Sequence, residues 1–294
     1  MLYHHFPPEC RSGLNAQCAF LQERYTPIAL PEAIGCLQRQ ERLPRNAIAV
    51  TVDDGYADYL QFARDCFLAY GIPTTVFVTE KFIDGAHWLW FDRIEHAIRV
   101  SKRSEIQISA GEWGGPIRTR MDAETERAAA AKTLIKYAKE LASPEVEPFV
   151  VAIERAAEVN LPLHPTGEYA GMNWDDLKEL SASGTVTIGA HTATHPILSR
   201  LAGSAELTDE IAGCRKRIEN KLGMPVSLFA YPNGRPSDID AEVVSAVKEA
   251  GYQAAFTTTP GVNRRRVNLL IMKRIAMRPE FPVSYLADAL AAAR

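Results

Sequence analysis

A β-branched apolar run followed by helical periodicity recurs along the chain. Residues 47–52 ("AIAVTV") predict a strand. Leu60, Ala63, Cys66, Phe67 and Tyr70 then recur at helical spacing, behind Asp58 as a possible cap and ahead of Gly71 as a stop. "PTTVFVT" from Pro73 reads as the next strand. In the later half "TVTIGA" (185–190) is a strand, and Leu207, Ile211, Cys214, Ile218 and Leu222 mark a helix stopped by Gly223. "VSLFAY" (226–231) follows, then a helix carrying Val243, Val244 and Val247 between Ser237 and Gly251. "QAAFTTT" and the short "MKRIAM" complete the series. Strands separated by single helices imply parallel pairing through right-handed crossovers, an α/β fold. Residues 84–170 break the rhythm: 122–160 look all-helical, interrupted at Pro144 and Pro148. They read as a mostly helical insertion into one domain spanning 1–294.

The strand at 47–52 ends in Asp53 and Asp54, with Gly55 directly after. Burying unpaired carboxylates is costly. An Asx-type turn accounts for one of them but leaves the second unexplained. His191 and His195 stand four apart just after another predicted strand, and Pro196 places them on a strand-to-helix loop. C-terminal strand ends are where α/β folds build active sites. One Asp with two His is a three-ligand set for Zn²⁺ or a similar ion, leaving a position open for water. Neighbouring side chains on a strand point to opposite sides. One aspartate can therefore ligate while the other takes a proton.

Composition narrows the partners. The 294 residues are 47% apolar and 23% charged, with a net charge of -3 and only a short basic cluster at 264–266. Nothing there selects a nucleic acid. Five scattered cysteines without a CxxC fit reduced thiols. The opening "MLYHHFPPECRSGLNAQCAF" has neither a basic nor an apolar signal region, and no apolar run is long enough for a transmembrane segment. The expectation is a cytoplasmic protein.

"TVDDGYAD" resembles the first motif of the NodB-like polysaccharide deacetylases, and "HTATHP" is similar to their H-[ST]-x-x-H-P motif. "FAYPNG" (229–234) resembles the third motif, and "GMNWDDLKELSASG" is similar to many members. The resemblance implies a distorted (β/α)7 barrel and metal-dependent removal of N-acetyl or O-acetyl groups from a sugar or polysaccharide. It implies Asp53 as general base and Asp54, His191 and His195 as ligands of a divalent ion, Zn²⁺ by the donor set. Asn233 matches the residue whose backbone N–H meets the oxyanion. Tyr231, Pro232 and Gly234 fall on the third-motif loop at the substrate side. Trp90, with Trp88, Phe91 and Trp113, is an aromatic that could line the cleft or fill the insertion's own core.

"MLYHHF" resembles the L-x-Y-H of the branch whose catalytic histidine lies at the N-terminus, which puts His4 in the acid role with His5 beside it. Three departures stand out. Ala230 occupies the place of the family's third-motif arginine, Asn233 that of its usual aromatic, and the fourth motif has no clear counterpart. Arg274, near the end of the final predicted strand, is placed to pair with Asp53 instead. Two other readings use the same residues: hydrolysis of another amide, such as a cyclic ureide or imide, and a non-catalytic glycan-binding descendant.

Overall fold

The computed structural model describes residues 1–108, 116–201 and 203–293. Its strands, in chain order, are β1 (Leu2–Tyr3), β2 (Thr26–Pro27), β3 (Ala47–Ile48), β4 (Val50–Val52) and β5 (Thr74–Val78), then β6 (Glu105–Ile108), β7 (Ile117–Arg120), β8 (Val186–Ala190), β9 (Leu228–Ala230) and β10 (Ala254–Phe256). Six of them form one parallel sheet in the order β1-β4-β5-β8-β9-β10. The sheet curls into a half-barrel. The segment predicted as the last strand continues the curl, since Met272 bridges Phe256 and Ala276 bridges Leu2, both parallel. This is the α/β architecture expected, in keeping with a distorted deacetylase barrel.

The sheet strands are apolar on both faces because both are covered. Alternation sorts them: Val76, Val78, Ile188, Phe229 and Ala255 join the main core. Phe77, Leu228, Ala230, Ala254 and Phe256 pack with Leu30, Ile34 and Leu37 of the helix Leu30–Gln38 on the other side. Among the described residues no helix is long and apolar enough to cross a membrane.

Several local expectations are revised. Asp58 does not cap the helix after it. Its Oδ2 accepts from the Phe6 N–H (2.8 Å) and meets His5 Nδ1 (3.0 Å), and Tyr59–Ala63 is a π-helical turn before the α-helix Arg64–Ala69. Asp240 caps the helix Ala241–Glu249, accepting from the Val243 N–H at 2.9 Å. Pro144 opens the helix Ser143–Ala156 and Pro148 lies inside it. There the ring forfeits only one early intrahelical bond.

The insertion contains the helices Trp90–Val100, Glu124–Ala138 and Ser143–Ala156 around their own core of Ile94, Ile98, Leu134, Phe149 and Ile153. It also holds an antiparallel hairpin, β6 with β7, absent from the helical reading. Trp113 lies outside the described residues.

Candidate active site

Backbone register assembles the site. Tyr3 pairs with Val52, so His4 and Asp53 leave neighbouring strand ends side by side, with the Asp53 N–H on the Tyr3 carbonyl at 3.0 Å. The chain then turns sharply. Asp54 has φ 73° and Gly55 φ 98°, and the Gly55 N–H reaches back to the Asp53 carbonyl at 2.9 Å. The left-handed φ at Gly55 favours glycine, and an added Cβ would also press on Ile83 Cδ1 at 2.9 Å. Thr192 (φ 68°), His195 (φ 64°) and Asn233 (φ 56°) are left-handed as well. Such positions cost roughly 1–3 kcal/mol each for non-glycine residues. Four of the seven found among the described residues lie on the three loops meeting here.

Asp54, His191 and His195 are buried and converge, their ligand atoms all within 4.8 Å of one another. Both Nε2 atoms lie 3.3 Å from the same Asp54 Oδ1. His191 Nδ1 donates to the Ala230 carbonyl at 2.7 Å, which leaves a lone pair on its Nε2. Asp54 Oδ1 is itself buried without a conventional hydrogen bond. Lone pairs facing lone pairs in a buried site fit a cation, so the residues present suit a divalent metal ion. Burial would push the Asp54 carboxyl up, but the two histidines outweigh it and hold it well below its ordinary value.

Asp53 is equally buried but differently partnered. Arg274 grips it in a fork, Nη1 on Oδ1 and Nη2 on Oδ2, both at 2.7 Å. The guanidinium is fixed in turn by the Thr257 carbonyl (3.0 Å), the Thr51 hydroxyl (3.1 Å) and the face of Phe77. Burial would raise the Asp53 carboxyl, and the charges of Arg274 and His191 bring it below its usual range. Asp53 Oδ2 stands 4.0 Å from His191 Nε2, beside the cluster and outside its ligand set.

The third-motif loop supplies the opposite wall. Gly234 N–H bonds the Pro232 carbonyl at 2.6 Å, making a three-residue turn with Asn233 at its tip. Among the described residues no acceptor takes the Asn233 backbone N–H, and its side-chain Nδ2 is buried without a partner. Tyr231, expected at the substrate side, lies instead in the core with its hydroxyl on the Leu270 carbonyl at 2.8 Å. Pro232 is buried beside it.

His4 is solvent-exposed at the mouth, within the fields of Asp54, Asp53, Arg274 and His191. Crowding by protein around its ring outweighs the carboxylates and lowers its pKa. His5 points to Asp58 and lies on the Tyr56 ring, centroids 3.7 Å apart. Burial lowers its pKa, but the Asp58 bond and charge prevail and raise it.

Residues 140–255 match the family model described as polysaccharide deacetylase. Over this segment the chain is similar to that family. The matched segment contains the histidine pair and the Asn233 turn, and the fold brings Asp53, Asp54 and Arg274 to them. No curated protein sequence matches the chain. Similar solved structures include the Streptococcus pyogenes deacetylase PplD in complex with acetate, at 15% identity and TM-score 0.63, covering 99% of this chain and 96% of that one. A de-N-acetylase from Aggregatibacter actinomycetemcomitans (15%, TM-score 0.61, 99% and 98%) and IcaB from Ammonifex degensii (18%, 0.61, 98% and 93%) are similar over comparable lengths. At these identities the likeness is one of fold.

The site is braced by residues that the motifs do not contain. Glu210 accepts from the Ala193 N–H (2.8 Å), the Thr194 N–H (2.9 Å) and the Thr194 hydroxyl (2.6 Å), clamping the loop between the two histidines. It sits on the π-helical turn Asp209–Gly213. Its sequence signal was a glutamate on the apolar stripe of Leu207, Ile211 and Cys214. From the insertion, Trp90 Nε1 donates to the His195 carbonyl at 3.2 Å and Phe91 meets the His195 ring edge-on. Of the two readings for Trp90, cleft or insertion core, the core holds: it is buried at 9% exposure in the insertion's own core and braces the His195 backbone, not a cleft wall. Asp92 accepts from the Tyr56 hydroxyl at 2.8 Å, a second tie between the insertion and the aspartate turn.

Proposed function

We propose that the chain is a metal-dependent hydrolase that removes N-acetyl groups from a glycan. The observation carrying this reading is the division of the two adjacent aspartates. Asp54 shares a ligand cluster with His191 and His195, while Asp53 is held ionised beside it by Arg274. A glycan-binding descendant would have no use for a buried, clamped base next to a ligand set.

Asp54, His191 and His195 would hold the ion, Zn²⁺ being the one that best suits a carboxylate and two imidazoles. When bound, it supplies Lewis acidity to the acetyl carbonyl and lowers the pKa of water. Asp53 then takes the proton of the attacking water on a carboxylate oxygen that Arg274 keeps aimed and unprotonated. The Asn233 N–H donates to the oxyanion as the carbonyl becomes tetrahedral. His4, exposed at the mouth, gives its proton to the leaving nitrogen, and its lowered pKa makes its protonated form a stronger acid.

The deciding assay measures acetate release from N-acetylhexosamine oligomers together with metal content. Wild-type protein should release acetate with one ion bound, and Asp53→Asn should keep the ion and lose turnover. Retained turnover in Asp53→Asn would remove the base assignment. Absence of acetate release from ion-loaded wild type on any acetylated sugar would remove the deacetylase reading.

A further inference from the structure

One flank of the site carries two cations, Lys139 and Arg235, and two buried donors without acceptors among the described residues. Lys139 follows the insertion helix Glu124–Ala138, and Arg235 follows the Asn233–Gly234 turn. Ala138 and Leu141, either side of Lys139, line one pocket with Thr194, Pro196 and Arg200 next to the His195 loop, and Lys139 feels the charges of Arg235, Asp238 and Asp54. The segments are tied together. Arg200 donates to the Glu140 carbonyl (2.6 Å) and carboxylate (3.0 Å), and the Ser199 hydroxyl donates to the Ser237 carbonyl at 3.3 Å.

Among the described residues neither the Lys139 nor the Arg235 side chain is paired with a carboxylate. Asp238 is buried and committed to the Arg235 backbone N–H (3.0 Å) and the Ser237 hydroxyl (3.2 Å). Two buried donors nearby also lack acceptors, Arg200 Nε and Asn233 Nδ2. Like charges held together repel, and a buried donor left unmade is costly. A ligand bearing negatively charged oxygens would relieve both.

We propose that the substrate is an anionic glycan, with a carboxylate or phosphate near the acetylated sugar, and that Lys139 and Arg235 receive this group at the flank of the site. This rests on the deacetylase reading and narrows its substrate class. The insertion then acts in specificity, since it supplies Lys139. Arg235 is exposed and Lys139 half-buried, so salt should weaken the preference in part.

The test compares ion-loaded protein on three substrates: a neutral N-acetylglucosamine oligomer, an oligomer containing N-acetylmuramic acid, and an N-acetylglucosamine oligomer carrying a phosphate monoester. At least one charged substrate should show a kcat/KM about tenfold or more above the neutral one, falling towards it as salt is raised. Lys139→Gln and Arg235→Gln should each raise KM for that substrate several-fold and leave neutral turnover unchanged. Calorimetric binding to Asp53→Asn protein should give the same order of affinities. Whichever anion is preferred identifies its source. If the neutral oligomer is hydrolysed as well as both charged ones, or the variants affect all three alike, this inference falls and the deacetylase reading stands. If ion-loaded protein releases acetate from none of them, both fall together.

Discussion

Arg274 holds Asp53 through both carboxylate oxygens at 2.7 Å, across 221 residues of sequence and in a buried setting. The pair stands where the third-motif arginine is replaced by Ala230. An arginine at the closing segment of the barrel does this work from the opposite direction in sequence. The carbonyl of Ala230 has its own task, fixing the His191 tautomer.

Breaking this pair should be expensive and visible in the pH profile. Arg274→Ala leaves Asp53 buried without its cation, a change worth roughly 3–5 kcal/mol of stability. Burial, which raises the carboxyl, is then opposed mainly by the histidines, so the Asp53 pKa rises. The base is lost on protonation, so the acid limb of kcat/KM should move to higher pH. Turnover should also fall, by roughly 10²-fold or more. Arg274→Lys should recover part of the limb position and little of the aim. An unshifted limb in Arg274→Ala would exclude the role.

Glu210 should act through metal affinity. It satisfies three donors of the loop that joins His191 to His195. Glu210→Gln keeps the shape but turns an amide towards those donors. Supporting residues of this kind typically contribute 10–100-fold in metal affinity. Competition with a chelator should show a loss in that range, with Tm of the ion-free protein changing far less than Tm of the loaded protein. Unchanged affinity would reduce Glu210 to a loop anchor.

The legible parts of the fold were those where periodicity decides where a residue goes. Asp53, Asp54, His191 and His195 sit directly after apolar runs, so recognising the strands placed all four at one end of a parallel sheet. Arg274 was legible only through the resemblance, which left Asp53 without its third-motif arginine and pointed to a cation near the end of the closing segment. What remained hidden depends on contacts between distant segments. Nothing in the local pattern tells that Asp58 would serve His5 rather than cap its helix. The Trp90 to His195 bond joins residues 105 apart, and Asp92 to Tyr56 joins residues 36 apart. The hairpin β6–β7 was missed because its strands are short and charged, "EIQI" and "IRTR", without a full apolar face.

Gly234 should be indispensable for catalysis but not for the ion. Its φ is 63°, and an added Cβ would lie 2.8 Å from the Thr258 backbone nitrogen, which cannot swing aside like a side chain. Gly234→Ala must therefore shift the turn that aims the Asn233 N–H. Loss of one oxyanion donor costs roughly 10²–10³ in kcat. The ligands lie on other loops, so metal content should stay at the wild-type level. Wild-type kcat in Gly234→Ala would exclude the Asn233 N–H as the donor.

Asp92 makes a prediction that needs no substrate. Burial pushes its carboxyl up to about 8, and the Tyr56 hydroxyl only partly offsets this. The folded protein therefore keeps a proton that the unfolded chain releases at ordinary carboxylate pH. Between about pH 4 and pH 8 the unfolded state binds fewer protons at this site, so the contribution of Asp92 to stability falls as pH rises. The fall levels off above pH 8 and amounts to at most on the order of 5 kcal/mol. Asp92→Asn keeps an oxygen for the Tyr56 hydroxyl and cannot ionise. Urea denaturation of ion-free protein at several pH values should show the variant gaining on wild type as pH rises from 5 to 8. A constant difference across that range would mean that Asp92 is ionised in the folded state. The insertion would then be tied to the Tyr56 turn by a charged rather than a neutral carboxyl.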